Sequence, residues 1–355
     1  MVTRPTIMEI DMDALKYNIQ SIQKYIGNKM MMPVIKANGY GTYINTRLDV
    51  INMFDIVAVA LVDEAVELRR IGYNKEIFIL NQPSIDEIDK IVSNNITVGV
   101  CSIDFLNAIK DNKIKVHVEI DSGMGRTGIR LNEINNFIEV LDNSNVEVEG
   151  IYTHLSSADY DPEYTKKQFE IFDKAVNILK EKYNLKYIHA CASNGLLNYK
   201  DNDYNLVRPG IILYGYESSS DTFNKIDLKP ISKLKSKVTF IKEVDENTSI
   251  GYSRKYITTK RTKIATIPIG YADGLSRLLF SKGNVVIKNK LYPIVGNICM
   301  DSIMVDVGND DINTSDEVYI WDNDLIKLED LSNAIGTINY EVISTISSRV
   351  PRIFK

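Results

Sequence analysis

Lys36 ends an apolar run in the segment V-I-K-A-N-G-Y-G, residues 34–41, with Tyr40 and two glycines close behind it. A lysine so placed can leave a hydrophobic wall and face a ligand. Its amine is the side-chain group that forms Schiff bases with aldehydes, so the chemistry suggested is covalent attachment of pyridoxal phosphate at Lys36. A lysine snorkelling to solvent from a strand end is the competing explanation, and one lysine before a glycine-rich turn does not separate the two.

Positioning such an amine requires elements that end where it stands. Eight apolar, β-branched runs qualify as strands: 31–36, 55–60, 77–80, 96–100, 114–120, 148–154, 186–191 and 206–213. Segments with helical spacing of apolar residues lie between them, at 63–71, 84–93, 102–110, 131–141 and 163–183. Asp63, Ser84 and Ser102 stand where helix caps belong. This alternation predicts an α/β chain folded as a (β/α)8 TIM-like barrel, whose working residues sit at strand C-termini. A doubly wound open sheet is the runner-up, weakened by the lack of G-x-G-x-x-G after the first strand.

After about Leu228 the texture changes to short runs with turn residues between them, at 237–244, 263–269, 284–288, 292–295, 302–307 and 317–321. They predict a C-terminal, mostly antiparallel β domain, with a helix at 330–335 and a last strand at 350–354. The domains expected are a barrel over 11–228 and a β domain over 229–355, the latter joined by an N-terminal strand over 1–10. Ser218 to Ser220 mark the hinge.

The barrel reading places the polar residues at one mouth. Lys36 ends strand one and Asn81 strand three; Asp121, Arg126 and Gly128 follow strand five. His154 ends strand six, Ser193 follows strand seven, and Arg208 and Gly210 belong to strand eight. Each has an ordinary structural explanation alone, and only their joint placement points to a site.

Composition narrows the classes. The chain has 355 residues, 44% apolar and 25% charged, which fits a folded globular protein. A net charge of -5 with no block of like charge argues against nucleic acid as a partner. The N-terminus lacks an apolar core of signal-peptide length, and the longest apolar stretch, 56–62, is too short to span a bilayer, so a cytoplasmic location without membrane attachment is expected. Cys101, Cys191 and Cys299 form no C-x-x-C pair, and His117, His154 and His189 are scattered, so neither disulfides nor a metal site are expected.

The chain resembles the alanine racemases, pyridoxal phosphate enzymes built from a (β/α)8 barrel and a C-terminal β domain. The resemblance spans nearly the whole sequence and rests on V-I-K-A-N-G-Y-G, V-D-E-A-V-E-L-R, D-S-G-M-G-R-T-G-I, G-I-Y-T-H-L-S-S-A-D, V-R-P-G-I-I-L-Y-G, I-G-Y-A-D-G-L-S-R, V-G-N-I-C-M-D and G-T-I-N-Y-E. It implies interconversion of L-alanine and D-alanine by two bases on opposite faces of the substrate, supplying D-alanine for cell-wall peptidoglycan. Lys36 would serve the D-enantiomer, and Tyr252, reaching in from the partner subunit of a homodimer, the L-enantiomer. Tyr271 would line the substrate entrance.

The resemblance also implies phosphate contacts from Tyr40, Ser193, Gly210, Ile211 and Tyr340. Arg208 would face the pyridine nitrogen, with His154 beside it. Arg126 would reach the cofactor phenolate oxygen and the substrate carboxylate, which Met300 would bind through its backbone N-H. A tyrosine has an unperturbed pKa of about 10, so a basic Tyr252 needs positive neighbours.

Three departures stand out. Glu119 occupies the position at which many relatives carry a carbamylated lysine, and is expected to hold Arg126 with its own carboxylate, so that Glu119→Gln weakens substrate binding. Thr42 replaces a usual histidine and is expected to alter the pocket edge. Gly251 and Ser253 flank Tyr252 in exchanged order, which leaves Tyr252 and Tyr271 in competition for the second base. A serine or broader-specificity racemase, a decarboxylase of the same architecture and a non-catalytic pyridoxal phosphate carrier are the alternatives. I-G-Y-A-D-G followed by I-C-M-D fits a racemase better than a decarboxylase, and a carrier needs no second domain.

Overall fold

The computed structural model describes residues 3–355. Residues 1–2 of the expected N-terminal strand lie outside the described residues. Strand β1 (Ile7–Ile10) precedes a 15-residue helix, Met12–Ile26, capped by Asp11, which accepts from Ala14 N. The barrel strands follow: β2 (Met30–Met31), β3 (Ile56–Val59), β4 (Glu76–Ile79), β5 (Thr97–Val100), β6 (Lys115–Ile120), β7 (Glu147–Thr153), β8 (Tyr187–His189) and β9 (Leu206–Val207).

Strands β3 to β8 form one parallel sheet in sequence order, and β2 pairs in parallel with β9. Two junctions close the ring. Ala58 N donates to Pro33 O and Ile35 N to Ala58 O, both at 2.9 Å, and Arg208 N donates to Cys191 O at 2.9 Å. Most strand interiors are Val, Ile, Ala and Phe packed without access to water, as a sheet covered on both faces requires, with His117, Glu119 and His189 as buried polar exceptions.

Two expected strands are shorter than their apolar runs. Regular strand is confined to Met30–Met31, with Met32 N and Val34 N still donating to Val207 O and Pro209 O, and Lys36 does not end a strand but opens a short turn, Lys36–Tyr40. The run 206–213 is strand only through Val207; beyond Pro209 and Gly210 it coils into a 3-10 helix, Ile211–Tyr214. Ser84 and Ser102 cap as expected. Asp63 does not: the helix Val62–Arg70 has Leu61 at its N-cap, and Glu64 binds the cap's backbone instead.

The second domain adds β10 (Ser232–Lys237), β11 (Phe240–Val244), β12 (Ser249–Ile250), β13 (Tyr256–Ile257), β14 (Thr262–Ile267), β15 (Asn284–Ile287), β16 (Lys290–Val295), β17 (Ile303–Gly308), β18 (Glu317–Trp321) and β19 (Arg352–Phe354). Nine strands run in the order β11-β14-β17-β16-β15-β18-β10-β1-β19, so the strand that opens the chain lies between β10 and the last strand. Helices Leu328–Ile335 and Asn339–Ser344 complete the domain. The second of these packs on the turn after Lys36. A Cβ at Gly41 would lie 2.5 Å from Ile343 O, and Arg352 Nε donates to Gly41 O at 2.8 Å. No helix is long and apolar enough to cross a membrane among the described residues.

Candidate active site

The turn that carries Lys36 is held in an unusual backbone state. Ala37, Asn38, Gly39 and Tyr40 have φ of 53, 54, 60 and 55°, four consecutive residues in the left-handed region where only glycine is at ease. Hydrogen bonds fix it: Gly39 N donates to Ile35 O and Gly41 N to Ala37 O, both at 2.9 Å, and Tyr43 N to Asn38 O at 2.7 Å. Thr42, fully buried, donates its hydroxyl to Gly39 O at 2.5 Å. It braces the turn and does not line the pocket edge as expected.

The turn delivers Lys36 into a cavity of about 480 Å³ at the C-terminal mouth of the barrel. Tyr40, Asn81, Arg126, His154, Ser193, Arg208, Gly210 and Tyr340 line the same cavity, so residues from six barrel loops and the second domain meet there. Ile211, fully buried, follows Gly210 at the start of its 3-10 helix. Tyr340 enters on the helix Asn339–Ser344, its ring centroid 5.9 Å from that of Tyr40.

Charge and burial set the protonation states. Burial, and then the neighbouring Arg126 guanidinium, hold the Lys36 ammonium below the ordinary lysine range, against an opposing pull from Glu64. Arg208 is 1% exposed and donates from Nη2 to Thr153 O at 2.8 Å and Ala190 O at 3.1 Å. Burial pushes its pKa down to about 10, which still leaves it charged at neutrality. Its Nη2 also lies 3.3 Å from His154 Nδ1, a longer contact that can only share a hydrogen already given to Thr153 O or Ala190 O; since a guanidinium does not accept, the contact favours the His154 proton on Nε2. Burial and then Arg208 push the His154 pKa down to about 3. Burial raises the Tyr40 and Tyr340 phenols well above their usual range, so both remain hydroxyl donors.

Arg126 is carried by a loop that folds back on β6. Asp121 Oδ1 accepts from Gly123 N at 3.0 Å and Gly125 N at 2.9 Å, and Ile129 N returns to Glu119 O at 2.8 Å. Gly128 must be glycine at φ 114°, since a Cβ would lie 2.4 Å from Asp121 N. The expected Glu119–Arg126 ion pair is absent among the described residues. Glu119 instead accepts from the Thr127 hydroxyl through Oε1 at 2.8 Å, while its Oε2 is buried without a partner. A glutamate on β6 is short, and it meets the residue next to Arg126.

Tyr252, Tyr271 and Met300 do not line this cavity. They stand on adjoining loops of the second domain, 71%, 42% and 52% exposed. Tyr271 N donates to Cys299 O and Ala272 N to Met300 O, both at 3.0 Å, and Asn297 Nδ2 donates to Tyr252 O at 2.8 Å.

Sequence reasoning missed Glu64 and Thr127 as supports of the site, and treated His117 and His189 as unrelated to it. His117 Nδ1 lies 2.9 Å from His189 Nε2, and His189 Nδ1 lies 2.7 Å from Arg208 Nη1. The available signal was that 117 and 189 fall inside barrel strands with inward parity.

A barrel mouth that gathers one desolvated amine, two guanidiniums and several phenol and alcohol hydroxyls, roofed by a β domain, defines a lysine-bearing two-domain barrel enzyme. The chain belongs to the alanine racemase family: the model for the alanine racemase N-terminal domain matches residues 10–218, and that for the alanine racemase C-terminal domain matches residues 231–354. It is 39% identical to an alanine racemase of Methanococcus maripaludis, with 100% of both chains covered, and 37% identical to alanine racemase 2 of Caldanaerobacter subterraneus, with 99% of this chain and 95% of the relative covered. Among solved structures, an alanine racemase of Clostridium difficile superposes with a TM-score of 0.94 at 35% identity, covering 100% of this chain and 97% of that one. The Bacillus anthracis alanine racemase with bound L-Ala-P superposes with a TM-score of 0.94 at 34% identity, covering 100% and 96%.

Proposed function

We propose that the protein interconverts L-alanine and D-alanine as a homodimer, with pyridoxal 5'-phosphate held at Lys36, and so supplies the D-alanine used in peptidoglycan. The observation that carries this reading is the convergence of the Lys36 amine with Arg126, Arg208 and the hydroxyls of Tyr40, Ser193 and Tyr340 on one cavity in a full-length family member.

The residues fit the cofactor. A Cβ at Gly210 would lie 2.6 Å from Tyr40 Oη and 3.8 Å from Ser193 Oγ, so the missing side chain leaves a hydroxyl-lined cradle suited to a phosphate. Tyr40, Ser193, Tyr340 and the Ile211 amide would hold that group with little net charge, and the Gly210 amide, which donates to Ser193 Oγ at 3.1 Å, would share its hydrogen with it or orient that hydroxyl. Arg208 would face the ring nitrogen, with His154 beside it. When bound, pyridoxal phosphate supplies an electron-withdrawing system conjugated to the substrate amine, which acidifies the Cα proton.

Arg126 orients the substrate carboxylate, assisted by the Met300 amide of the partner subunit. Lys36, with its ammonium disfavoured by burial and by Arg126, takes or returns a proton on one face. Tyr252 of the partner subunit serves the opposite face, its exposure in the single chain being what a shared site requires. Tyr271 lines the entrance. Arg208 donates a hydrogen bond without surrendering its proton, since its pKa stays near about 10.

The test is incubation with L-alanine and pyridoxal phosphate in deuterium oxide. Deuterium at Cα with accumulating D-alanine supports the reading, whereas carbon dioxide release without D-product overturns it. Mixing inactive Lys36→Ala and Tyr252→Phe proteins tests the shared site: recovered activity is expected, and no recovery after proven subunit exchange removes the partner's role.

A further inference from the structure

Behind Arg208 the barrel lumen holds two fully buried histidines, His189 at the end of β8 and His117 within β6, and neither lines the cavity. Their protons can be assigned by elimination. Arg208 carries only donors, so its 2.7 Å contact from Nη1 requires a lone pair on His189 Nδ1. His189 therefore keeps its single proton on Nε2, which lies 2.9 Å from His117 Nδ1. That atom must accept, which puts the His117 proton on Nε2. A proton on His189 Nδ1 would instead confront a guanidinium N-H.

The surroundings are shaped for two flat neutral rings. His117 stacks on Phe78 with centroids 4.4 Å apart, and His189 lies parallel to Tyr152 at 5.1 Å and 4°. Gly150 faces His117 from β7, where a Cβ would lie 2.8 Å from its Cδ2. Burial drives the His117 pKa down to about 3, and burial with Arg208 drives His189 well below the ordinary range.

His117 Nε2 is a buried N-H without a partner among the described residues. An apolar residue of similar size would remove that orphan but would leave the buried His189 Nε2-H without its acceptor. What the position supplies is an acceptor at Nδ1.

We propose that His117 is a positioning residue for racemisation: by accepting from His189 Nε2-H it anchors the His189 ring, and the Nδ1 of that ring holds the Arg208 guanidinium in the orientation that faces the cavity. This rests on the reading above, in which Arg208 meets the cofactor ring. The relay lies two residues behind any group that touches substrate or cofactor.

The chain's three histidines make the test direct, because nitrogen-15 spectra of the histidine-labelled holoenzyme contain only six ring nitrogens. In the wild type both His189 and His117 are expected neutral with the proton on Nε2; a proton on His189 Nδ1 overturns the proposal without any variant. His117→Asn, whose Oδ1 stands where Nδ1 accepts, is expected to keep the His189 tautomer and to hold kcat within about threefold of wild type. His117→Leu is expected to leave His189 Nε2-H without its acceptor, to shift the His189 ring-nitrogen resonances and the absorbance of the bound cofactor, and to lower kcat by about tenfold or more while KM for alanine moves less than about threefold. A folded leucine variant with the wild-type cofactor spectrum and kcat overturns the role; if that variant does not fold, the wild-type tautomer and the asparagine variant decide. Failure of the wild type to racemise alanine defeats the functional reading, and the tautomers in the same sample distinguish that failure from failure of the relay.

Discussion

Glu64 accepts a hydrogen bond from the Ala37 amide through Oε1 at 2.5 Å, while its Oε2 accepts from Ala60 N at 2.9 Å and Leu61 N at 3.1 Å. One carboxylate thus staples the Lys36 turn to the loop after β3. The turn has need of it, since each left-handed residue other than glycine costs about 1–2 kcal/mol. Glu64→Ala is expected to destabilise the protein by about 1 kcal/mol, since two of the three released amides are open to water. Because Lys36 is bonded directly to Ala37, kcat should also fall by about tenfold. Chemical denaturation and steady-state kinetics on the same preparation check both; a stable variant with wild-type kcat would show that the staple does not govern the amine.

Glu119 and Thr127 give a prediction opposite to the one the sequence suggested. Gln at 119 can still accept from the Thr127 hydroxyl, so Glu119→Gln should leave KM for alanine within about threefold, whereas Glu119→Ala releases Thr127 and should raise it further. Burial raises the Glu119 pKa, so its neutral form is favoured in the folded state. Its stabilising contribution is complete below the unfolded value of about 4.3 and is lost as pH rises through the folded value. The Gln variant should therefore match or exceed wild-type stability at about pH 8 and lose that advantage below about pH 4. Melting temperatures across this range test the sign, and a Gln variant weaker at alkaline pH than at acid pH would reverse it.

The barrel was legible because its strands are continuous β-branched runs between helical segments, and a barrel by itself collects strand-end residues such as Lys36, His154 and Arg208 at one mouth. Strand β10 was not, because two of its three inward residues are Ser232 and Ser236, whose hydroxyls bond Tyr216 at 2.6 Å and Thr6 at 2.8 Å where apolar packing would have left an alternating signal. The left-handed turn was hidden for a different reason: Asn38, Gly39 and Gly41 tolerate a positive φ, but Ala37 and Tyr40, which share it, give no such signal. Glu64 was read as part of a helix, since nothing in one dimension shows a side chain crossing to the next loop. His117 and His189 are separated by 72 residues and adjoin only after the barrel closes.

Gly210 tests the cradle for the cofactor phosphate. With its added Cβ 2.6 Å from Tyr40 Oη, Gly210→Ala must displace either the tyrosine or the start of the 3-10 helix Ile211–Tyr214. Gly210 is buried beside Tyr40 and Ile211, so a melting curve is taken first to establish that the variant folds. Affinity for pyridoxal phosphate is expected to fall by about tenfold or more, measured by absorbance titration of the apoprotein. Unchanged affinity would place the phosphate elsewhere in the cavity.

At the opposite end of the barrel, Glu76 and Glu149 form a pair whose ionisation should appear in stability between acid and neutral pH. Lys115 Nζ contacts Glu149 Oε1 at 2.6 Å, and Tyr187 Oη and Lys186 Nζ contact Glu76 Oε2 at 2.6 and 3.1 Å. The other two oxygens, Glu76 Oε1 and Glu149 Oε2, are buried with no donor among the described residues, as expected where two carboxyls share one proton. Burial, and then Glu76, push the Glu149 pKa up to about 7. A carboxyl whose folded pKa exceeds its unfolded value of about 4.3 stabilises the fold in its protonated form, fully at acid pH and no longer once pH has passed the folded value. The melting temperature should therefore decline between about pH 4 and about pH 7 and level off above that. Glu149→Gln, with an amide N-H that can donate to Glu76 Oε1 at every pH, should flatten that decline; an identical slope in wild type and variant would mean that the proton is not shared at this pair.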